Sequence, residues 1–108
     1  MGKSAHTATE LQRIVAGDVV YDMSRHALRH GAAEAALTLT ESKIMLHLLR
    51  NMGKPMSADD ILLRALGISQ LCRTTIVETN ICRIRKKSAA IGAKTTIETV
   101  RYSGYVIE

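Results

Sequence analysis

Basic side chains concentrate on one predicted helix and on the hairpin that follows it. Five of the fifteen Lys and Arg residues lie between Arg73 and Lys87, where Glu78 is the only acidic residue. The predicted hairpin spans residues 97–108 and carries Arg101 shortly before Gly104. Such cations can pair with phosphates, and an arginine can also donate two hydrogen bonds to one base edge. The chemistry to expect is therefore recognition of a polyanion.

The predicted helix runs from Arg73 to Ala90 and has two different faces. At about 100° per residue, one stripe is suited to a core and contains Val77, Ile81, Ile84 and Ser88, with Ile91 at its edge. The opposite face carries Thr75, Ile76, Thr79, Arg83, Lys86 and Ala90. Short side chains followed by Arg and Lys suit base contacts flanked by phosphate contacts. An ordinary amphipathic helix with a solvated basic face has the same pattern, so the helix alone leaves both interpretations open.

Other kinds of chemistry find little support in the residues. No Ser-His-Asp set, paired carboxylates or phosphate-binding Gly loop is recognisable, so the chain is not expected to be an enzyme or to need a cofactor. Cys72 and Cys82 are too few for a zinc site, and the four histidines have no ligand spacing with them, so no metal is expected. Cys82 as a redox switch is less plausible than a structural thiol.

Composition predicts one folded domain. The chain has 108 residues, a net charge of +5 and a pI near 9.6, which favours a polyanionic partner. It has no Phe or Trp, which argues against single-stranded nucleic acid, whose bases stack on aromatic rings. Residues 1–10 are expected to form a disordered tail and residues 11–108 the domain. Reduced cysteines and the lack of an apolar span favour a soluble cytoplasmic protein with no membrane partner.

The order of predicted elements gives an α+β fold. Short apolar runs separated by turn residues predict a four-stranded antiparallel sheet, from Ile14-Val15, Val19–Tyr21, Ala27-Leu28 and Ala36–Leu39. Thr40 is predicted to cap a first helix that stops near Asn51, and Ser57 with Asp60 a second that ends at Gly67. A turn, residues 67–72, leads to the basic helix, and the hairpin follows, with strands predicted over Thr95–Val100 and Tyr105–Ile107. Three helices followed by this hairpin, which forms the wing, make a winged helix-turn-helix.

Several motifs resemble one known family in their order and spacing. Asn80–Lys87 (N-I-C-R-I-R-K-K), the wing I-E-T-V-R-Y-S-G-Y-V and the first-helix opening L-T-L-T-E are similar to the effector domain of OmpR/PhoB-type response regulators in two-component systems. The resemblance extends from about Val15 to the C-terminus. The segments I-C-R-I-R-K-K and I-E-T-V are especially similar to CtrA-like regulators of alphaproteobacteria.

This resemblance implies duplex DNA binding, with the basic helix in the major groove and the wing, residues 99–105, at the minor groove. It implies base contacts for Ile76, Thr79, Arg83 and Arg101. Backbone contacts fall on Thr75, Asn80, Arg85, Thr99 and Tyr105. Lys86 and Lys87 are further candidates for backbone contact through nonspecific attraction to phosphates, with simple solvation as the alternative. The helical wheel leaves Arg85 near the core side, where it can extend to the surface or pair with Glu78. Tyr21, Tyr102 and Tyr105 are candidates for packing the sheet and hairpin.

The resemblance also suggests partners. Family members often bind as two protomers head-to-tail on direct repeats, and RNA polymerase or another regulator are candidate protein partners. The 108 residues contain no receiver domain or acidic phosphoacceptor pocket, which suggests either a piece of a longer regulator or a protein that works without phosphorylation. Two alternatives to a sequence-specific transcription regulator stay open: a winged-helix module that binds a regulator or polymerase subunit, and a nonspecific architectural DNA binder.

Overall fold

The computed structural model describes residues 12–69 and 73–108. The predicted tail, residues 1–10, and part of the predicted turn, residues 70–72, lie outside these ranges. The element order is four strands, three helical segments and two further strands, as the sequence predicts.

The four N-terminal strands form an antiparallel meander in sequence order, β1 Arg13–Ala16, β2 Val19–Asp22, β3 Ala27–His30 and β4 Ala33–Ala36. Ile14, Tyr21, Leu28 and Ala35 lie side by side across the sheet. Because side chains alternate between the two faces of a strand, this row belongs to one face, and there Tyr21 and Leu28 are buried in the core. The predicted sheet is confirmed, but its last strand is earlier than the predicted run Ala36–Leu39.

The strand ends at Ala36 because the second half of the predicted run, Thr38 and Leu39, caps and begins the first helix, α1, Leu39–Arg50. The Thr38 hydroxyl accepts a hydrogen bond from the Glu41 backbone N–H at 3.2 Å, and the Glu41 carboxylate accepts one from the Thr38 N–H at 2.9 Å. This reciprocal capping box satisfies two helix-end donors. The prediction of Thr40 as N-cap was therefore wrong by two residues, whereas the predicted end at Asn51 is confirmed.

The second helix, α2, is short and irregular. One α-helical turn, Ala58–Asp60, follows the predicted cap Ser57, whose hydroxyl accepts from the Asp60 N–H at 3.0 Å. A π-helical segment, Ile61–Ala65, continues it and is closed by a bond from the Leu66 N–H to the Ile61 carbonyl. Gly67, with φ of +69°, ends the segment as predicted.

The basic helix, α3, spans Thr74–Ala90 and packs against α1, α2 and β4. Its predicted core stripe is confirmed, since Val77, Ile81 and Ile84 are at most 1% exposed. They join one core with apolar residues of the sheet, α1, α2 and the C-terminal strand, among them Tyr21, Leu28, Ile44, Leu48, Ile61, Leu62, Ile97 and Ile107.

The C-terminal hairpin consists of β5, Glu98–Val100, and β6, Gly104–Val106. Its base is fixed to the segment before α2, because Met56 and Tyr105 exchange two backbone hydrogen bonds of 2.8 Å each. Gly104 adopts φ of +126°, and a Cβ there would collide with the Met56 carbonyl. A glycine is therefore required at this contact.

The loop between α3 and the hairpin is tied to the β1–β2 turn by Asp18. Its carboxylate accepts hydrogen bonds from the backbone N–H groups of Lys94 and Thr95 at 2.8 and 2.9 Å, and the Asp18 N–H donates to the Thr95 hydroxyl. The bonds from Lys94 and Thr95 hold the pKa of Asp18 well below its ordinary value. These contacts connect residues 76 and 77 positions apart.

The first prediction concerns the cap of α1. Thr38→Ala should lower the free energy of unfolding by about 1 kcal/mol, because the Glu41 N–H loses its acceptor. Thr40→Ala is the matched control and should change it by less than about 0.5 kcal/mol. Urea denaturation followed by circular dichroism measures both. A larger loss in Thr40→Ala than in Thr38→Ala would contradict the assignment of the cap.

The second prediction concerns acid stability. Because folding lowers the pKa of Asp18, its contribution is fully present above the ordinary value of 3.8 and is lost as the pH falls below it. Asp18→Asn should lower the urea midpoint at neutral pH and flatten the decline of the midpoint below about pH 5. Glu78→Gln removes an exposed carboxylate of α3 and serves as control. Equal acid dependence in Asp18→Asn and the natural chain would refute the role of Asp18.

Candidate nucleic-acid interface

The outer face of α3 is exposed as the helical wheel predicts. Thr75, Thr79, Arg83 and Lys86 are all exposed, on the side opposite the buried stripe. Within residues 12–69 and 73–108, neither Arg83 nor Lys86 forms an ion pair. Their donors are therefore available to a ligand. One helix thus presents hydroxyl groups in its first half and cations without an internal ion pair in its second half.

Ile76, predicted on the exposed face, and Asn80, predicted to contact the DNA backbone, are both less exposed than the polar side chains of the outer face. Ile76 is half-buried and packs against the core, so only part of its side chain faces outward. Asn80 is 7% exposed, and its side-chain amide donates to the Ile76 carbonyl at 2.8 Å. The expected backbone contact of Asn80 is not supported, because this side chain is turned inward and bonded within the helix.

Lys87 forms an internal ion pair. Its Nζ lies 2.6 Å from Glu41 Oε1, and the Glu41 side chain is 1% exposed. Burial raises the pKa of Glu41, but the hydrogen bond and charge of Lys87 and the Thr38 N–H outweigh it and lower the pKa overall. Lys87 therefore anchors α3 to the start of α1. This role differs from the expected phosphate contact, since a phosphate would have to compete with the buried carboxylate.

Arg85 joins α3 to the hairpin. Its Nε donates to the Ile97 carbonyl at 2.8 Å, one terminal nitrogen donates to the Thr99 hydroxyl at 2.7 Å, and its guanidinium lies 5.8 Å from the Tyr105 ring centroid. Of the two alternatives for Arg85, pairing with Glu78 is not what the structure shows, since the side chain extends to the hairpin instead. Three predicted backbone-contacting residues, Arg85, Thr99 and Tyr105, thus lie together where α3 meets the wing.

The tip of the hairpin presents an arginine beside an aromatic ring. Arg101 is exposed, and its guanidinium lies 5.1 Å from the ring centroid of Tyr102, which is itself 94% exposed. Tyr102 also adopts φ of +66°, which is uncommon for a non-glycine residue. Packing of Tyr102 was therefore predicted wrongly, although packing of Tyr21 is confirmed. The turn position next to Arg101 is the signal that would have suggested an exposed Tyr102.

The described part of the chain shows no group of three or more His, Cys, Asp or Glu that could hold a metal ion. No helix among these residues is long and apolar enough to cross a membrane. The thiol of Cys82 is free and exposed on α3, and Cys72 lies outside the described residues. Taken together, the available groups are hydrogen-bond donors and cations on α3 and at the wing tip. This set suits an extended polyanion.

Comparison with known proteins agrees with this geometry. Residues 32–107 match the family described as "Transcriptional regulatory protein, C terminal". The transcriptional regulatory protein PhoP of Escherichia coli is 34% identical over 87 residues, covering 81% of this chain and 39% of PhoP. The chain therefore spans less than half the length of the curated relatives it matches.

Two solved structures are similar in fold and sequence. The C-terminal domain of the nisin resistance regulator NsrR, a lantibiotic response regulator, superposes with a TM-score of 0.74 and 27% identity, covering 89% of this chain and 96% of that one. The DNA-binding domain of Klebsiella pneumoniae RstA, solved in complex with the RstA box, gives a TM-score of 0.73 and 26% identity with the same coverage. The chain belongs to the OmpR/PhoB-type family of winged-helix DNA-binding domains of transcriptional regulators.

Proposed function

We propose that this domain binds duplex DNA in a sequence-specific way, with the outer face of α3 in the major groove and the wing tip at the adjacent minor groove. The observation that carries the proposal is the exposed, unpaired Arg83 at the centre of a helix whose opposite side is buried in the core. A major groove about 12 Å wide accepts one helix, and its base edges differ for every base pair. The complex of RstA with its box supports the same use of the fold.

In this proposal Arg83 donates two hydrogen bonds to the O6 and N7 atoms of one guanine. Thr79, one turn earlier on the same face, contacts a neighbouring base, and the outward part of Ile76 meets a thymine methyl. Thr75 and Lys86 lie at the two ends of this row and bind phosphates, which set the position of α3 on the duplex.

Arg101 enters the minor groove, where the negative potential of a narrow groove attracts arginine. Its contact with the exposed Tyr102 ring restricts the guanidinium before binding. Arg85 holds the strand before the wing tip through Ile97 and Thr99, so its contribution is to fix the wing relative to α3. Thr99 and Tyr105 can still approach a phosphate from this junction.

Some properties are inferred from family likeness alone. Head-to-tail pairing of two protomers on direct repeats, contact with RNA polymerase and a cytoplasmic location are typical of such regulators, and we extend them to this chain as proposals. The similarity of Ile81–Lys87 to CtrA-like regulators likewise remains a prediction from that motif.

The third prediction tests base readout. Arg83→Ala should weaken binding to a site selected from random duplexes by about 1 to 3 kcal/mol and relax the preference at one base pair. Lys86→Ala should weaken binding to all sequences alike and reduce the salt slope by about one unit. Arg25→Ala, at an exposed arginine that pairs with Glu34 on the N-terminal sheet, is the control. If no motif is enriched and Arg83→Ala binds like the control, the proposal fails and a nonspecific or protein-binding role takes its place.

The fourth prediction separates the two arginines near the wing. Arg101→Ala should lower DNA affinity without changing the urea midpoint, because the side chain is exposed and lies beside the ring of Tyr102, which is itself exposed. Arg85→Ala should lower the free energy of unfolding by about 1 to 2 kcal/mol, because the Ile97 carbonyl and the Thr99 hydroxyl lose a charged donor. Paired urea titrations and fluorescence anisotropy measure both. A destabilised Arg101→Ala with unchanged affinity would contradict the assignment.

A further inference from the structure

The outward face of α1 carries an unusual combination of basic and apolar side chains. Lys43 and Arg50 are exposed, and Leu39 at the start of the helix is 60% exposed. Leu46 and His47 are half-buried between them. At about 100° per residue Leu39, Lys43, Leu46 and Arg50 fall on the side opposite the buried Ile44 and Leu48, and His47 lies at the edge of that side. We call this set, together with Leu63 and Arg64 of α2, the α1–α2 surface.

A shallow cleft of about 130 Å³ lies in this surface, lined by Lys43, Leu46, His47, Arg50, Arg64 and Ala65. Clefts that enclose a small-molecule ligand measure about 300 to 1,000 Å³, so this one is too small for a cofactor. Its lining combines the apolar Leu46 and Ala65 with the basic Lys43, Arg50 and Arg64. The size and lining suit a single aliphatic side chain presented by a larger partner.

The charge of the surface is only partly neutralised within the domain. Asp60 is engaged on both oxygens, with His47 Nε2 at 3.0 Å and Arg64 Nε at 2.8 Å. Lys43 and Arg50 form no ion pair with any residue that the structure describes. The unneutralised cations therefore flank the cleft and favour a partner that carries carboxylates.

DNA bound to α3 does not account for this surface. The buried stripe of α1 packs toward α3, and α3 in turn buries its own stripe against α1 and α2. Among the described residues, none that lines the cleft belongs to α3 or to the hairpin, so a duplex lying on Thr79 and Arg83 contacts a different set of side chains.

We propose that the α1–α2 surface is a docking site for an acidic protein segment that inserts a leucine-like side chain into the cleft. Carboxylates of the segment pair with Lys43 and Arg50, and its apolar side chain contacts Leu46 and Ala65. Leu39 and Leu63, on the same two helices, are also exposed, at 60% and 55%, and add apolar surface for the segment. Alternating acidic and apolar groups on the partner match the alternating basic and apolar groups here.

The fifth prediction tests this with a synthetic probe of about 15 residues, built from Glu and Leu at helical spacing and labelled with a fluorophore. Anisotropy at low salt should show saturable binding to the natural chain. Lys43→Glu should weaken it by roughly tenfold, because attraction is replaced by repulsion. Lys54→Glu is the matched control at another exposed lysine and should change it by less than about twofold. Probes with Glu replaced by Gln, or Leu by Ser, should each bind more weakly.

Four results would overturn the proposal: no saturable binding of the Glu–Leu probe, equal loss in the two lysine variants, full binding of the Ser probe, or full binding of the Gln probe. Binding to the selected duplex should be unchanged in Lys43→Glu. A loss of DNA affinity as large as in Arg83→Ala would assign the surface to DNA instead. Binding of the natural chain to phosphatidylserine vesicles that is abolished by Lys43→Glu would assign it to a lipid surface.

Discussion

The burial of one apolar stripe of α3 determines how the rest of the domain is used. Val77, Ile81 and Ile84 are almost fully removed from water by α1, α2 and the sheet, which contributes about 1.5 to 3 kcal/mol for each side chain before entropy is subtracted. Rotating α3 would expose this stripe and bury Arg83 or Lys86 without partners, at a large desolvation cost. The outward direction of the cationic side chains is therefore a consequence of core packing.

Polar contacts then fix the positions of α3 and the hairpin relative to the rest of the domain. Lys87 pairs with the buried carboxylate of Glu41 and connects α3 to the start of α1. Arg85 connects α3 to the first strand of the hairpin. Asp18 connects the loop between α3 and the hairpin to the N-terminal sheet. The two surfaces that result have different partners in our account: α3 and the wing tip for DNA, and α1 with α2 for an acidic segment.

Most of the fold could be predicted from the sequence, because helical and strand periodicities are local. The stripe of α3, the meander and the hairpin all follow from such patterns. The cap of α1 was misplaced because two threonines compete, although Thr38 stands three residues before Glu41, the spacing of a capping box. Asn80, Arg85 and Lys87 were harder to place. Lys87 finds its partner 46 positions away and Arg85 finds its partners 12 and 14 positions away, which no local pattern reveals.

The most direct test of the central claim is a crystal structure of this chain bound to a duplex that contains its selected site. We expect α3 in the major groove, with the Arg83 guanidinium about 2.8 to 3.0 Å from O6 and N7 of one guanine, and Arg101 in the adjacent minor groove. The internal pair of Lys87 and Glu41 should be retained. A complex in which the outer face of α3 remains in solvent while the duplex contacts Lys43 and Arg50 would contradict it.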